Sequence, residues 1–148
     1  MRAMTSVPLW RLYVLRATYL LITVGLALMI WKLLLFRVTP ELDHMRGVVW
    51  ALLGAVGLLA AVGIRYPLQM LPVLLFELTW KTIWLVAIGL ELRAGGTLVG
   101  GPAQTWGECI GGVVIVAIAI PWRYVFDNYV RRPGDPWRRP RVAAPPVG

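Results

Sequence analysis

Four long apolar runs dominate the chain, separated by short polar breaks. The first covers about 17–36, and Lys32 is the only charge in its centre, close to one end. The second, about 47–64, carries no charge. The third covers about 68–90 and the fourth about 106–122. Each has roughly the length that an α-helix needs to cross about 30 Å of hydrocarbon. Peptide groups in lipid have no water to bond, so such runs must satisfy their own hydrogen bonds as helices. The pattern therefore predicts an all-α membrane protein, a four-transmembrane-helix bundle.

The breaks refine this. Residues 37–46 form a polar loop with Pro40, Glu41, Asp43 and His44. Arg65, Tyr66 and Pro67 form a tight turn, which predicts an antiparallel hairpin of spans two and three. Proline disfavours helix at Tyr66 and helps place the break. Residues 91–105 read as a Gly-rich loop, with Gly95-Gly96 and Gly100-Gly101-Pro102. After Pro121, residues Trp122, Val125, Phe126, Tyr129 and Val130 recur at helical spacing, and Arg123 and Asp127 are placed to pair one turn apart. Residues 122–131 are thus expected to form a short amphipathic helix along the membrane interface. Residues 132–148 read as an unstructured basic tail rich in Pro and Arg. The first run is too long for a signal-peptide core, and no small-x-small cleavage site follows it, so it reads as a retained span.

Composition changes the picture little but excludes a soluble domain. The 148 residues are 59% hydrophobic and 15% charged, with mean hydropathy +0.71. A soluble domain carries about 25% charged residues. The net charge is +8, and six of the fifteen basic residues follow Trp122. The neighbouring apolar runs favour anionic lipid over nucleic acid as the basic segment's partner. Arg123, Arg131, Arg132, Arg138 and Arg139 are the expected lipid contacts, worth about 1 kcal/mol each near the surface.

The basic residues also predict orientation. Ten arginines (2, 11, 16, 65, 123, 131, 132, 138, 139 and 141) fall on one side, and Arg37, Arg46 and Arg93 on the other. The positive-inside rule then puts both termini and the Arg65 turn in the cytoplasm. Trp10, Tyr13, Trp31, Trp50, Tyr66, Trp106, Trp122 and Tyr124 sit near the expected interfaces. Thirteen Arg against two Lys, with abundant Ala and Gly, hints at a GC-rich bacterial genome and hence a bacterial inner membrane.

Small residues predict how the helices meet. Gly47, Ala51, Gly54, Gly57 and Ala61 recur at steps of three or four in the second span. Gly107 and Gly111, with Gly112 beside them, do so in the fourth. Small residues let backbones approach closely in lipid, so helices two and four are expected to supply the tightest contacts. Whether these lie within one chain or between copies stays open.

One constellation carries chemistry. Glu77 and Lys81 lie one turn apart in the middle of the third span, in the order that favours pairing. A charged residue at a helix centre costs about 2.5–3.5 kcal/mol on insertion scales, and a pair costs less than two separate charges. Trp80 and Trp84 flank the pair. Pro72, in the first turns, is expected to leave carbonyls near Leu68 short of a partner and to bend the helix or admit water. Three readings remain open: a register-fixing structural pair, a protonatable site on a transport path, or part of a pocket for a lipid, quinone or polar small molecule.

Other chemistry is sparse. Cys109 is the only cysteine, which excludes an intramolecular disulfide, and it reads as a small apolar residue. His44 is the only histidine and reads as a solvated loop residue; no zinc or haem spacing exists. Glu91 and Glu108 read as interfacial charges. Ser6 is the only serine and joins no convincing catalytic triad, and no Walker-type loop exists. No metal or cofactor is expected, and an enzyme is the least favoured class.

Arg65-Tyr66-Pro67-Leu68, Met70-Leu71-Pro72, Leu74-Leu75-Phe76-Glu77 and Trp80-Lys81 together form a motif that resembles one in a group of small bacterial four-helix inner-membrane proteins. The segments 9–13, with Trp10 and Tyr13, and 120–125, with Pro121 and Trp122, are similar to that group's ends. The resemblance implies a four-span bacterial fold and brings no activity with it. The chain resembles neither thiol oxidases, which need cysteine pairs, nor small multidrug exporters, whose key Glu lies in the first helix. The favoured expectation is a non-catalytic membrane protein that packs with itself or with a larger membrane complex. The alternative is a small transporter or channel using Glu77 and Lys81.

Overall fold

The computed structural model describes residues 7–37 and 43–133. Arg2, Ser6, Pro40, Glu41, Arg138, Arg139, Arg141 and most of the expected basic tail lie outside the described residues. The described chain forms four long helices: α1 (Leu9–Phe36), α2 (His44–Arg65), α3 (Leu71–Ala94) and α4 (Gly101–Ala119). A short helix, α5 (Trp122–Val125), follows and runs on as a π-helical turn, Phe126–Arg131. No strand occurs among the described residues. All four long helices have the length and hydropathy to cross a membrane, which makes this a multi-pass membrane protein built as a four-helix bundle.

The helix ends follow local chemistry that hydropathy does not report. Helix α1 begins at Leu9, well before the expected residue 17, and carries Arg11 and Arg16 in its first turns. Hydropathy marks the lipid-soluble part of a helix, whereas hydrogen bonding continues into the polar region. Helix α2 begins at His44 because the Asp43 carboxylate accepts from the Arg46 N–H at 3.0 Å. That N-cap satisfies one of the unbonded N–H groups of the first turn. His44 is therefore an exposed helical residue and not a loop residue.

Pro72 also differs from expectation. It falls in the first turn of α3, where an N–H has no intrahelical partner in any case. It starts the helix and does not bend it. Gly101-Pro102 starts α4 in the same way, after Gly100 turns the chain with φ of 60°. Helix α4 ends at Ala119, where Ile120 becomes extended and Trp122 Nε1 donates to the Ala117 carbonyl at 2.8 Å. Two π-helical turns interrupt the long helices, at Ala27–Trp31 in α1 and Leu85–Gly89 in α3.

Packing joins consecutive helices into two hairpins. Helix α1 packs along α2, and α3 along α4. The α1–α4 and α2–α3 approaches are briefer. The tight turn at 66–70 joins the two hairpins, and α2 and α3, the expected antiparallel pair, meet more briefly than α1 with α2 or α3 with α4. The shared core is Leu15, Tyr19, Ala60, Leu71, Leu74, Val116, Ala119, Ile120 and Val125. It draws on all four helices and α5, and much of it clusters near the end that holds the 66–70 turn, here the turn end. At the opposite, loop end, residues 27–36 pack on α2 and residues 85–89 pack on α4.

The small residues of α2 bury a stripe at steps of three: Gly54, Gly57, Ala60 and Gly63. A Cβ on Gly54 or Gly57 would sit 3.1 Å from Leu34 and 3.3 Å from Leu26, both of α1. Ala51 and Ala61 face outward and Gly47 is half-buried, which corrects the expected stripe. In α4, the space beside Gly107 and Gly111 is open, and Gly112 is the glycine in contact. The small residues of α2 therefore receive α1, and that of α4 receives α3.

Tyr19 locks the turn end. Its ring is fully buried against Gly63, where a Cβ would come within 2.5 Å of it. Its hydroxyl donates to the Pro67 carbonyl at 3.0 Å. One side chain of α1 thus packs on α2 and satisfies the backbone of the turn leading into α3.

Candidate functional site

Glu77 projects from α3 and is 2% exposed. Lys81, one turn further along, reaches back and its ammonium pairs with the Glu77 carboxylate. The Lys81 side chain is 16% exposed. Its aliphatic stem crosses the backbone of α4 at Gly112, where a Cβ would stand 2.6 Å from Lys81 Cε. Any other residue at 112 would displace the lysine. The pair is therefore not merely a feature of α3: its cation is seated in a gap that α4 leaves for it.

Two neighbours complete the site. The Lys81 ammonium lies 4.4 Å from the centroid of the Trp80 ring, close enough for a cation–π contribution. The Trp80 indole N–H is buried and has no hydrogen-bond partner. Cys109, 1% exposed on α4, falls within electrostatic range of Lys81, Glu108 and Glu77. Trp84 lies further towards the loop end, where it and Trp106 of α4 close over Gly89. Of the four residues expected from the sequence, Lys81 meets both Glu77 and Trp80, and Trp84 belongs to the adjoining α3–α4 seam.

Gly112 and Cys109 were not legible as site residues. The signal for Gly112 was present in the Gly111-Gly112 doublet, but a spacing of four from Gly107 selects Gly111 instead. Nothing in the sequence links Cys109 to a pair on another helix.

Comparison with known protein families, with curated proteins and with solved structures gave no match. The reading of the site rests on its chemistry. A carboxylate and an ammonium held together form a compact neutral unit in a low-dielectric seam, so neither charge is left uncompensated. Among the described residues, no group of three or more His, Cys, Asp or Glu side chains is arranged to hold a metal ion.

A second cluster lies at the turn end. Guanidinium groups stand over exposed aromatic rings at Arg11–Trp10 (5.0 Å), Arg16–Tyr13 (5.8 Å), Arg65–Tyr66 (5.6 Å) and Arg131–Phe126 (5.1 Å). At the loop end one such pair is described, Arg93–Trp106 at 5.9 Å. Arg123, Arg131 and Arg132, three of the arginines expected to meet lipid, are all exposed. Asp127, expected to pair with Arg123, forms an ion pair with Arg131 at 3.5 Å, also one turn apart.

Proposed function

We propose that this is a non-catalytic accessory protein of a bacterial inner membrane, packing with itself or with a larger membrane complex, its termini in the cytoplasm. The observation that carries this reading is the closed state of the Glu77–Lys81 pair. The carboxylate is occupied by its own helix's lysine, and that lysine is fitted onto Gly112. A pair held in this way fixes the register of α3 against α4, as structural charges do. The cytoplasmic orientation is supported by the excess of arginines on the turn-end side of the chain. Partners at that surface include anionic lipids.

The test is a stoichiometric one. Affinity purification from native membranes in mild detergent is expected to bring down a partner in fixed ratio or a discrete homo-oligomer. A lone monomer that carries a proton or solute flux after reconstitution would refute the accessory role.

One observation favours a second reading, a small transporter or binding protein for an ion or polar solute. The orphaned indole N–H of Trp80 adjoins the pair and is a donor without an acceptor. Under this reading it meets an acceptor on the solute while Glu77 exchanges a proton. Liposome flux that is abolished by Glu77→Gln, and retained by Trp80→Phe only with reduced affinity, would establish it.

A further inference from the structure

A groove of about 370 Å³ opens at the turn end, between the start of α1 and the α4–α5 corner. Val7, Pro8 and Arg11 form one side; Pro121, Trp122, Arg123 and Tyr124 form the other. Two of its lining residues are cationic and none is acidic. The ion pairs among the described residues are Glu77–Lys81 and Asp127–Arg131, and neither uses Arg11 or Arg123. Arg11 is held in place by a long contact from Nη1 to the Ile120 carbonyl, 3.4 Å, and by the Trp10 ring. A guanidinium has five N–H donors, so that contact leaves most of the capacity of this groove-lining residue unused.

The surroundings define the ligand's class. Trp10, Tyr13 and Trp122 are all exposed around this end, at 60%, 64% and 48%. Amphipathic rings of this kind mark the headgroup level of a bilayer. The helices that lead away from the groove expose apolar side chains, among them Leu20 and Leu21 of α1 and Val114 and Ile118 of α4. A ligand with an anionic head and apolar chains matches this sequence of surfaces, and a free anion matches only its first part. Guanidinium forks bind phosphate oxygens in a bidentate manner.

We propose that the groove is a seat for the phosphate of an anionic phospholipid, with Arg11 and Arg123 as its two clamps and Trp122 and Tyr124 as its walls. This narrows the lipid-facing part of the proposed function to one site. It does not depend on the role of Glu77 and Lys81, so either can fail without the other.

Native mass spectrometry of the full chain from detergent tests it, with phosphatidylglycerol, phosphatidylcholine and inorganic phosphate as probes. The wild type is expected to hold one phosphatidylglycerol in preference to phosphatidylcholine. Removing both cations, in Arg11→Gln with Arg123→Gln, is expected to weaken that binding about thirtyfold, roughly fivefold per charge. The matched variant, Arg16→Gln with Arg65→Gln, changes net charge equally outside the groove and is expected to retain the bound lipid. Arg123→Gln alone keeps the Arg11–Ile120 contact and gives the roughly fivefold step should the double variant not fold. Equal loss in both double variants would overturn the proposal, because diffuse surface charge would then explain binding. So would equal retention of phosphatidylcholine, or competition by inorganic phosphate at the lipid's own concentration.

Discussion

The two hairpins solve one problem with different contents. In α1–α2, the glycines of one helix receive carbon: Leu34, Leu26 and the Tyr19 ring lie over Gly54, Gly57 and Gly63. In α3–α4, Gly112 receives a charged side chain, and Gly89 receives the indole of Trp106. Lipid tails are as apolar as leucine, so neither seam gains from hydrophobic exclusion between helices, and both rely on close contact. The first seam needs only shape. The second needs shape and charge balance together, because Lys81 is tolerable only while Glu77 answers it. The neutral seam should therefore fail gradually when altered, and the charged seam should fail abruptly when one charge is removed.

The sharpest way to break the comparison is to unbalance the charged seam. Lys81→Met alone leaves the Glu77 carboxylate buried without its cation, and Glu77→Gln alone leaves the ammonium. Each is expected to cost about 3–5 kcal/mol, read as lowered thermal stability in detergent. Silence of both single variants would remove the distinction between the hairpins. Next in size is Gly63→Ala in the neutral seam. The added methyl must displace the Tyr19 ring, at about 1–3 kcal/mol for overpacking. Thermal unfolding measures this too, and an unshifted midpoint would mean that Tyr19 is not seated on Gly63. Tyr19→Phe keeps the ring and removes the hydroxyl bond to Pro67, with an expected loss of about 1 kcal/mol. Hydrogen exchange at residues 66–70 should rise in that variant. The smallest effect is the most telling: Glu77→Gln combined with Lys81→Met should be nearly neutral, because no orphan charge remains. A double variant as unstable as either single one would show that packing over Gly112, and not charge, holds the second seam.

The four spans were legible because lipid imposes one strong rule, that long apolar runs become helices. The charged pair was legible for the same reason, since ionised residues stand out against such runs. The contacts between helices were not. In a soluble helix a polar face shows which side is outward, whereas Ala51 and Ala61 look no different from Gly57 and Ala60 when lipid and protein interior are both apolar. The counted stripe therefore mixed outward with inward positions. Helix starts escaped for another reason: the Asp43 cap and the Pro102 first turn are signals of one or two residues, easily absorbed into a reading of a polar or Gly-rich loop. The π-helical turns at Ala27–Trp31 and Leu85–Gly89 left no mark in the pattern that was read.

The position of Tyr19 has a mechanical consequence. A side chain that joins α1, the end of α2 and the turn into α3 works as a hinge pin set at one extremity of the molecule. Beyond it the arms, residues 27–36 with α2 and residues 85–89 with α4, are each braced mainly within their own hairpin. Force applied at the loop end therefore acts through a long lever on a fixed fulcrum. Splaying or closing the arms would leave the turn end, with its arginines and aromatic rings, anchored at a constant depth.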